Sequence, residues 1–276
     1  NIALNFPTQA VGTVARVHVK DDVVKLDFAK ENQQAILSQY VKVAIPQDVL
    51  SPKDGVLVQR LADGTVAAVP HRVDENGQFV LQLRAGGEVF VQNTKKEFKD
   101  IEKDGHKQYI EALAERLIVN GTDEEAFSPK APMTRGQFGA MLQRSLALPK
   151  TKAASFKDTS DNQFTYELQT LVDIGVLKGD GDLLKPQQDI TRKQAALMIA
   201  RLLEHLEVDV PAVTADDATF TDKEAISPDA LEAVALMKKL QIFSGKEDGR
   251  FDPNAPLTRS QMAKVLYQTL KYVDMM

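Results

Sequence analysis

Two kinds of hydrophobic periodicity divide the chain. Across residues 11–92, apolar and polar residues alternate in short runs, as in Val-Ala-Arg-Val-His-Val at 14–19, and a period of two is typical of a half-buried β-strand. The dipeptide Asn76-Gly77 supplies the positive φ that a tight hairpin needs. This pattern predicts an antiparallel β-sandwich over residues 1–94, with a short helix possible at 29–39.

Near residue 95 the period changes to 3.6, which is typical of amphipathic helices. The clearest stripe occurs three times, with apolar residues three, seven and eleven positions after an arginine. These residues are Phe138, Leu142 and Leu146 after Arg135; Ala195, Ile199 and Leu203 after Arg192; and Met262, Leu266 and Leu270 after Arg259. The offsets fall within about 60° of the arginine's own direction. Each arginine is therefore predicted to face a groove between repeats and to be partly desolvated.

The helical part consists of three copies of one pattern. Each copy opens with Phe-x-Asp, continues with an apolar helix and a glycine-containing turn, and then has an apolar anchor two residues before a proline. The aspartates are Asp100, Asp158 and Asp222, and the glycines are Gly121, Gly179 and Gly245. Internal similarity of this kind predicts repeats at 95–150, 151–210 and 211–276. The predicted fold class is multidomain, β then α.

A capping box begins the second helix of each copy. Thr134, Thr191 and Thr258 are each followed three residues later by Gln137, Gln194 and Gln261, and in such a box each side chain satisfies an unpaired backbone N–H. The box does not explain the arginine after the threonine, because a cation in the first turn opposes the helix dipole by about 0.3–1 kcal/mol. An anion bound between the helix N-terminus and the guanidinium would explain it.

A second explanation of the arginines stays open. Each could pair with a carboxylate of the neighbouring repeat, and the candidates are Asp100, Asp158 and Asp222. The two interpretations are compatible if a ligand displaces the carboxylate.

Composition adds mainly exclusions. The 276 residues are 43% hydrophobic and 26% charged, which is ordinary for a globular protein. A net charge of −5 without a basic, aromatic-rich patch argues against a nucleic-acid partner. The absence of cysteine excludes disulfides, thiolate metal sites and cysteine nucleophiles. No run reaches the roughly 18 apolar residues of a membrane span. Since the chain begins with Asn1 and shows no signal peptide, we interpret it as a mature or trimmed piece of a longer protein.

Catalytic and metal-binding roles have weak support. The four histidines, His18, His71, His106 and His205, lie near no nucleophile motif, and His106 is predicted on an exposed loop. No pair of carboxylates is singled out for glycoside hydrolysis. Turn chemistry explains the acidic segments 179–182 and 247–249 without Ca²⁺. The sequence predicts no catalytic residues, no metal and no cofactor.

In the order and spacing of these motifs, residues 95–276 resemble three S-layer homology domains. The pattern of that family is similar to Phe-x-Asp, an apolar helix, Gly-Ile-x-x-Gly, Phe-x-Pro and Thr-Arg-Ala-Glu. The resemblance implies a pseudo-threefold trimer of repeats, with a central three-helix bundle, prongs and grooves between neighbours. Residues 1–94 resemble the immunoglobulin-like sandwiches that often precede such repeats in bacterial surface proteins.

The resemblance also implies a function and a location. In the family, the grooves bind a secondary cell-wall polysaccharide, often through a pyruvate ketal on its terminal sugar, and so anchor a secreted surface protein to the wall without a covalent bond. The family's arginine corresponds to Arg135, Arg192 and Arg259. The implied ligand-binding set adds the three threonines and glutamines of the capping boxes, the three glycines and the three aspartates.

This chain departs from the family pattern in four ways. Glutamine replaces the final Glu of the motif, the position before it holds Gly136, Lys193 or Ser260 instead of Ala, the first-helix Trp is absent, and the first repeat lacks the usual Gly before Ile118. The alternative function is a lattice or adhesion module that self-associates through the repeats, and a wall-glycan enzyme is less favoured. The sequence predicts that replacing any of the three arginines with alanine weakens polysaccharide binding with little change in melting temperature.

Overall fold

The computed structural model describes residues 2–7, 10, 12–31, 33–50, 55–62, 64–149, 156–160 and 162–276. The first part of the chain contains β1 (Ala3–Asn5), β2 (Thr13–Lys20), β3 (Val23–Lys30), β4 (Gln33–Gln34), β5 (Ile36–Pro46), α1 (Gln47–Leu50), β6 (Val56–Arg60), β7 (Val66–Ala68), β8 (His71–Val73), β9 (Gln78–Ala85) and β10 (Gly87–Gln92). The second part contains α2 (Lys107–Glu115), α3 (Arg135–Ser145), α4 (Thr165–Asp173), α5 (Arg192–His205), α6 (Leu231–Lys239) and α7 (Arg259–Tyr272). The predicted order of β then α is confirmed.

The strands form two antiparallel sheets around an apolar core. One sheet has the order β1-β5-β9-β8, and the other has the order β2-β3-β10-β6-β7 with β4 beside β3. In β3, Val24, Leu26 and Phe28 are buried while Lys25 and Asp27 are exposed. The alternation in the sequence therefore corresponds to an inner and an outer face.

The short helix predicted at residues 29–39 is wrong. Ala29 and Lys30 pair with β4, and β5 begins at Ile36. Pairing with neighbouring strands satisfies the backbone of this segment, and it places Leu37 in the sandwich core.

The helices pack in a cyclic order. The first helix of each repeat lies against the second helix of the preceding repeat: α4 against α3, α6 against α5, and α2 against α7. Of the second helices, α3 also contacts α7 directly, and their inward residues belong to one continuous apolar core. A chain of three repeats closed in this way is the pseudo-threefold arrangement that the resemblance implies.

A ring of backbone hydrogen bonds closes this arrangement at its centre. Met133 N donates to Leu257 O at 2.9 Å, Leu257 N donates to Ile190 O at 3.0 Å, and Ile190 N donates to Met133 O at 2.8 Å. These three residues each precede the threonine of a capping box. The starts of the second helices are thereby held together, one from each repeat.

The sandwich is joined to the repeats by polar contacts between the two parts. Hydrogen bonds run from Tyr40 Oη to Leu146 O at 2.6 Å, from Gln82 Nε2 to Asp274 O at 3.0 Å, and from Arg116 Nη1 to His71 O at 3.1 Å. The acceptors Leu146 and Asp274 follow the second helices of the first and third repeats. Burial at this junction raises the pKa of Tyr40 above its usual range.

Two residues after the first helix of each repeat ends, the chain has a residue with left-handed backbone. The φ angles are 60° at Leu117, 77° at Gly175 and 58° at Gln241. For a residue with a side chain, this conformation costs about 1–2 kcal/mol. Only the second repeat uses glycine here, which explains why the family pattern has glycine at this turn.

We expect Gln241→Gly to stabilise the protein. Gln241 is exposed, so the variant relieves the left-handed strain without loss of packing, and the gain should exceed the entropic cost of glycine by about 0.5–1 kcal/mol. Thermal unfolding should then show a melting temperature about 2 °C higher. Gln241→Ala is the control, because alanine cannot relieve the strain, and an equal rise in both variants would contradict the explanation.

Among the helices that the structure describes, none has both the length and the apolar character needed to cross a membrane.

Candidate functional site

The three capping boxes are confirmed. In the first box, Gln137 N donates to Thr134 Oγ1 at 3.2 Å and Thr134 N donates to Gln137 Oε1 at 3.0 Å. The boxes of Thr191 with Gln194 and of Thr258 with Gln261 have the same two bonds. Threonine and glutamine thus have a complete structural role in starting α3, α5 and α7.

The N–H groups between the two residues of the box are also occupied, which corrects the prediction of an anion at the helix N-terminus. Arg135 N donates to Gln188 O at 2.8 Å and Gly136 N donates to Pro186 O at 2.9 Å, so both bonds reach the following repeat. The equivalent bonds run from Arg192 and Lys193 to Ala255 and Pro253, and from Arg259 and Ser260 to Ala131 and Pro129. With the first three N–H groups of each helix engaged, an anion could be held by the side chain of the arginine, but not by the helix end.

Each arginine side chain donates hydrogen bonds to two backbone carbonyl oxygens of the next repeat. Arg259 Nε donates to Phe127 O at 2.7 Å, and its Nη2 donates to Asn120 O at 2.7 Å. The matching pairs are Arg135 to Leu184 O at 3.0 Å and Lys178 O at 3.2 Å, and Arg192 to Phe251 O at 2.6 Å and Ser244 O at 3.0 Å. The predicted position of the arginines at the junctions between repeats is confirmed, and the partners are carbonyls.

The three arginines are not equally buried. Arg259 and Arg192 are 5% and 6% exposed, and their guanidinium groups lie 4.4 Å from the ring centroid of Phe127 and 4.8 Å from that of Phe251. Arg135 is half-buried and faces Leu184, which offers no ring. Burial lowers the pKa of all three arginines, and nearby Arg201 lowers that of Arg135 further.

The aspartates of Phe-x-Asp do not form ion pairs with the arginines, which corrects the alternative explanation. Asp100 accepts two backbone bonds, from Phe127 N at 2.9 Å and Ser128 N at 2.7 Å. In the same way, Asp158 accepts from Leu184 N and Lys185 N, and Asp222 accepts from Phe251 N and Asp252 N. Each aspartate thus accepts from the N–H of the apolar anchor residue, and the carbonyl oxygen of that same residue accepts from the arginine. The charge of the aspartate also raises the pKa of the arginine without direct contact.

The three turn glycines are required by close packing within their own repeat. A Cβ at Gly179 would lie 2.4 Å from the ring of Phe156, and one at Gly245 would lie 3.0 Å from the ring of Phe220. At Gly121 the ring of Phe98 would be 2.7 Å away. The Phe ring of each repeat therefore packs directly against its glycine. This contact positions the residue before the glycine, whose carbonyl oxygen accepts from the arginine.

A groove of about 570 Å³ opens between the second and third repeats. Its lining includes Arg192, Gly245, Gln261 and Lys264, and also His106 from the first repeat. This volume is in the range of small-ligand sites. Three residues of the predicted site, Arg192, Gly245 and Gln261, are brought together here.

Two residues at this groove were not expected to take part. His106 is half-buried instead of exposed, and its Nδ1 lies 2.9 Å from Ser260 Oγ, which donates to Asp104 Oδ1 at 2.6 Å. The serine at the third motif position thus joins the third repeat to the first. The repeat pattern does not predict Lys264, because the equivalent positions hold Leu197 and Ala140.

The acidic turns are neutralised by basic side chains. Asp180 pairs with Lys185, Asp182 with Lys157 at 2.7 Å, and Asp248 with Arg250 at 2.7 Å. Over the ranges that the structure describes, no group of three or more His, Asp and Glu side chains is placed to hold a metal ion.

Comparison with known proteins agrees with this architecture. The family model described as S-layer homology domain matches residues 97–138, 155–196 and 219–263. An endoglucanase of Bacillus sp. (strain KSM-635) is 35% identical over 173 residues, 61% of this chain and 18% of that protein. An amylopullulanase of Thermoanaerobacterium thermosulfurigenes is 31% identical over 182 residues, 64% of this chain and 10% of that protein. An S-layer protein of Bacillus thuringiensis subsp. finitimus is 27% identical over 164 residues, 59% of this chain and 20% of that protein. The chain therefore spans a fifth or less of the length of these relatives.

Proposed function

The chain carries three S-layer homology domains in tandem, and we propose that they hold a larger protein at the bacterial cell wall by binding a wall polysaccharide in the grooves between repeats. The anionic group that each groove recognises is the carboxylate of a pyruvate ketal on the terminal sugar. Arg135, Arg192 and Arg259 supply the positive charge, and the threonines, glutamines, glycines and aspartates of the motifs hold the groove walls in place. The protein acts outside the cell, at the wall or surface layer.

The observation that carries the proposal is a cation without a carboxylate partner at each repeat junction, buried at Arg192 and Arg259 and half-buried at Arg135. Within the described residues, none of the three arginines lies in an ion pair, although burial of an unpaired charge is costly. A guanidinium has five N–H donors, and the neighbouring carbonyls engage Nε and Nη2. The remaining donors can bind a carboxylate without loss of the contacts between repeats.

Several weak binding sites on one chain are better suited to anchoring a protein than to catalysis. One charge-assisted contact contributes about 1.5–3 kcal/mol, which cannot hold a protein at a surface. Grooves that act together on polymer chains gain by effective concentration. The relatives named as an endoglucanase and an amylopullulanase are several times longer than the matched region, which supports a separate anchoring role for the repeats.

The proposal predicts that binding depends on the ketal. Purified wall polysaccharide should bind the chain in a pull-down and in calorimetry, and mild-acid removal of its ketal groups should weaken binding at least tenfold, because each groove loses a charge-assisted contact. Arg135→Met should also weaken binding and lower the melting temperature by only a few degrees, since Arg135 is half-buried and its anchor residue is Leu184. Arg16→Met is the matched control, because Arg16 is exposed on β2 in the sandwich.

Equal binding of intact and ketal-free polymer would contradict the proposal. Concentration-dependent self-association of the chain without wall polymer, measured by sedimentation, would instead favour the lattice function. Release of reducing sugar from the polymer by this chain would favour an enzyme.

A further inference from the structure

Two cationic side chains converge on one residue in the groove between the second and third repeats. Arg192 Nη2 donates to the carbonyl oxygen of Ser244 at 3.0 Å, and Lys264 Nζ donates to the Oγ of the same serine at 3.3 Å. The two side chains approach from different repeats, since Arg192 begins α5 and Lys264 lies in the second turn of α7. Both residues line the groove.

Neither cation forms an ion pair with an acid within the part of the chain that the structure describes. The acidic residues in the groove lining are Glu247 and Asp248, and Asp248 is engaged by Arg250. The other lysine of the lining, Lys246, is paired with Asp252. Arg192 and Lys264 are therefore the arginine and the lysine of this groove that form no ion pair. An anion bound between them would supply a charged partner to both.

The other two repeat junctions also place a lysine at the residue whose carbonyl oxygen accepts from the arginine Nη2, but from different parts of the chain. At the junction of Arg259 this residue is Asn120, and its Oδ1 accepts from Lys96 Nζ at 3.3 Å. At the junction of Arg135 this residue is Lys178 itself, and its side chain is exposed. No alignment of the repeats would bring Lys96, Lys178 and Lys264 into one column, so the shared feature belongs to the fold and not to the motif.

We propose that Lys264 is a second ligand-contacting residue of this groove, and that the carboxylate of an acidic wall glycan bridges Arg192 and Lys264. The inference rests on the proposed function and extends it, because it gives the anion two partners from two different repeats. Lys264 then leaves the Ser244 hydroxyl, which becomes free to bond the sugar. The half-buried stem of Lys264 limits its motion, so less side-chain entropy is lost on binding than for a fully exposed lysine.

The test compares an acidic and a neutral form of one probe. The probe is a monosaccharide with a pyruvate ketal, used as the free acid and as its methyl ester, and binding to the whole chain is measured by calorimetry. Lys264→Met should weaken binding of the acid about tenfold and leave binding of the ester unchanged, because only the acid uses the ammonium group. Lys264→Arg should retain affinity for the acid within about twofold. Lys271→Met is the matched control, since Lys271 is exposed near the end of the same helix, and it should change neither.

The remaining outcomes overturn the inference in distinguishable ways. If the wild type prefers the acid and Lys264→Met binds it like Lys271→Met, then Lys264 is not a ligand residue and the proposed function stands. If Lys264→Met weakens acid and ester equally, its role is structural. If the wild type binds acid and ester equally, anion recognition in the grooves fails, and this inference fails with it. Thermal unfolding of each variant establishes that the folded protein is being compared.

Discussion

Replacing Arg259 with alanine should lower the free energy of unfolding by about 3–5 kcal/mol. Arg259 closes the third repeat onto the first through two bonds to carbonyl oxygens, at 2.7 Å each, and packs over Phe127. Hydrogen bonds to a charged group contribute about 1.5–3 kcal/mol each, and their loss leaves carbonyls without donors. The cation–π contact adds about 0.5–2 kcal/mol. The melting temperature should fall by about 10 °C.

The effect should depend on which repeat junction is opened. Arg192→Ala should resemble Arg259→Ala, because Arg192 is equally buried and lies over Phe251 and Phe243. Arg135→Ala should cost only about 1–2 kcal/mol, since its guanidinium is half-buried and its anchor is Leu184. Arg250→Ala is the surface control, with a change within about 0.5 kcal/mol. Denaturant unfolding of the four variants gives the comparison, and equal, small losses for all of them would show that the carbonyl contacts contribute little.

This order of stabilities reverses an expectation from the sequence. Three arginines that oppose the helix dipole suggested a ligand, and alanine variants were expected to keep their melting temperature. The structure supplies a different reason for the arginine, which is the closure of one repeat onto the next. Binding at the groove of Arg192 is therefore better tested with a variant that keeps the guanidinium contacts, and Lys264→Met is one.

The helix starts could be predicted from the sequence, whereas the partners of the arginines could not. Thr258 and Gln261 bond within three residues of each other, so their pattern is local and specific to residue type. Arg259 bonds to the carbonyls of Asn120 and Phe127, more than 130 residues away. Every residue has a backbone carbonyl, so no residue type marks the acceptor. Apart from an anionic ligand, a carboxylate is the only partner that the sequence could suggest.

The sandwich shows the same division between local and distant information. Alternation predicted its strands, because the period of two follows from each strand's own inner and outer face. It predicted neither the order of the sheets nor the strand at residues 33–34, because the alignment of β4 with β3 depends on backbone pairing. The contacts with the repeats involve His71 and Arg116, and nothing in the sequence near either residue indicates the other.

Acidification should weaken the protein through His71 at that junction. His71 is 5% exposed, and its Nδ1 lies 2.7 Å from Val69 O, so Nδ1 carries the proton and donates. Arg116 Nη1 lies 3.3 Å from the same nitrogen and donates to the carbonyl oxygen of His71. Burial, together with the charge of Arg116, lowers the pKa of His71 to about 3. A protonated imidazole would place two cations side by side, away from water.

The direction of the pH dependence follows from proton binding in the two states. In the unfolded chain, histidine binds a proton as pH falls below about 6.5, while the folded protein keeps His71 neutral down to about pH 3. Between these values the unfolded state binds more protons, so stability falls with falling pH by about 1.4 kcal/mol per pH unit. From pH 7 to pH 5, His71 alone should lower the free energy of unfolding by about 2 kcal/mol.

The contribution of His71 can be separated from that of other titrating groups by comparing pH profiles. His71→Asn keeps a side-chain N–H that can donate to Val69 O but does not titrate, so its loss of stability between pH 7 and pH 5, measured by urea unfolding, should be about 2 kcal/mol smaller than that of the wild type. His18→Asn is the control, because His18 is exposed on β2, and its profile should follow the wild type. If His71→Asn and the wild type lose stability in parallel, His71 already binds its proton in the folded protein, and the junction with Arg116 accommodates both charges.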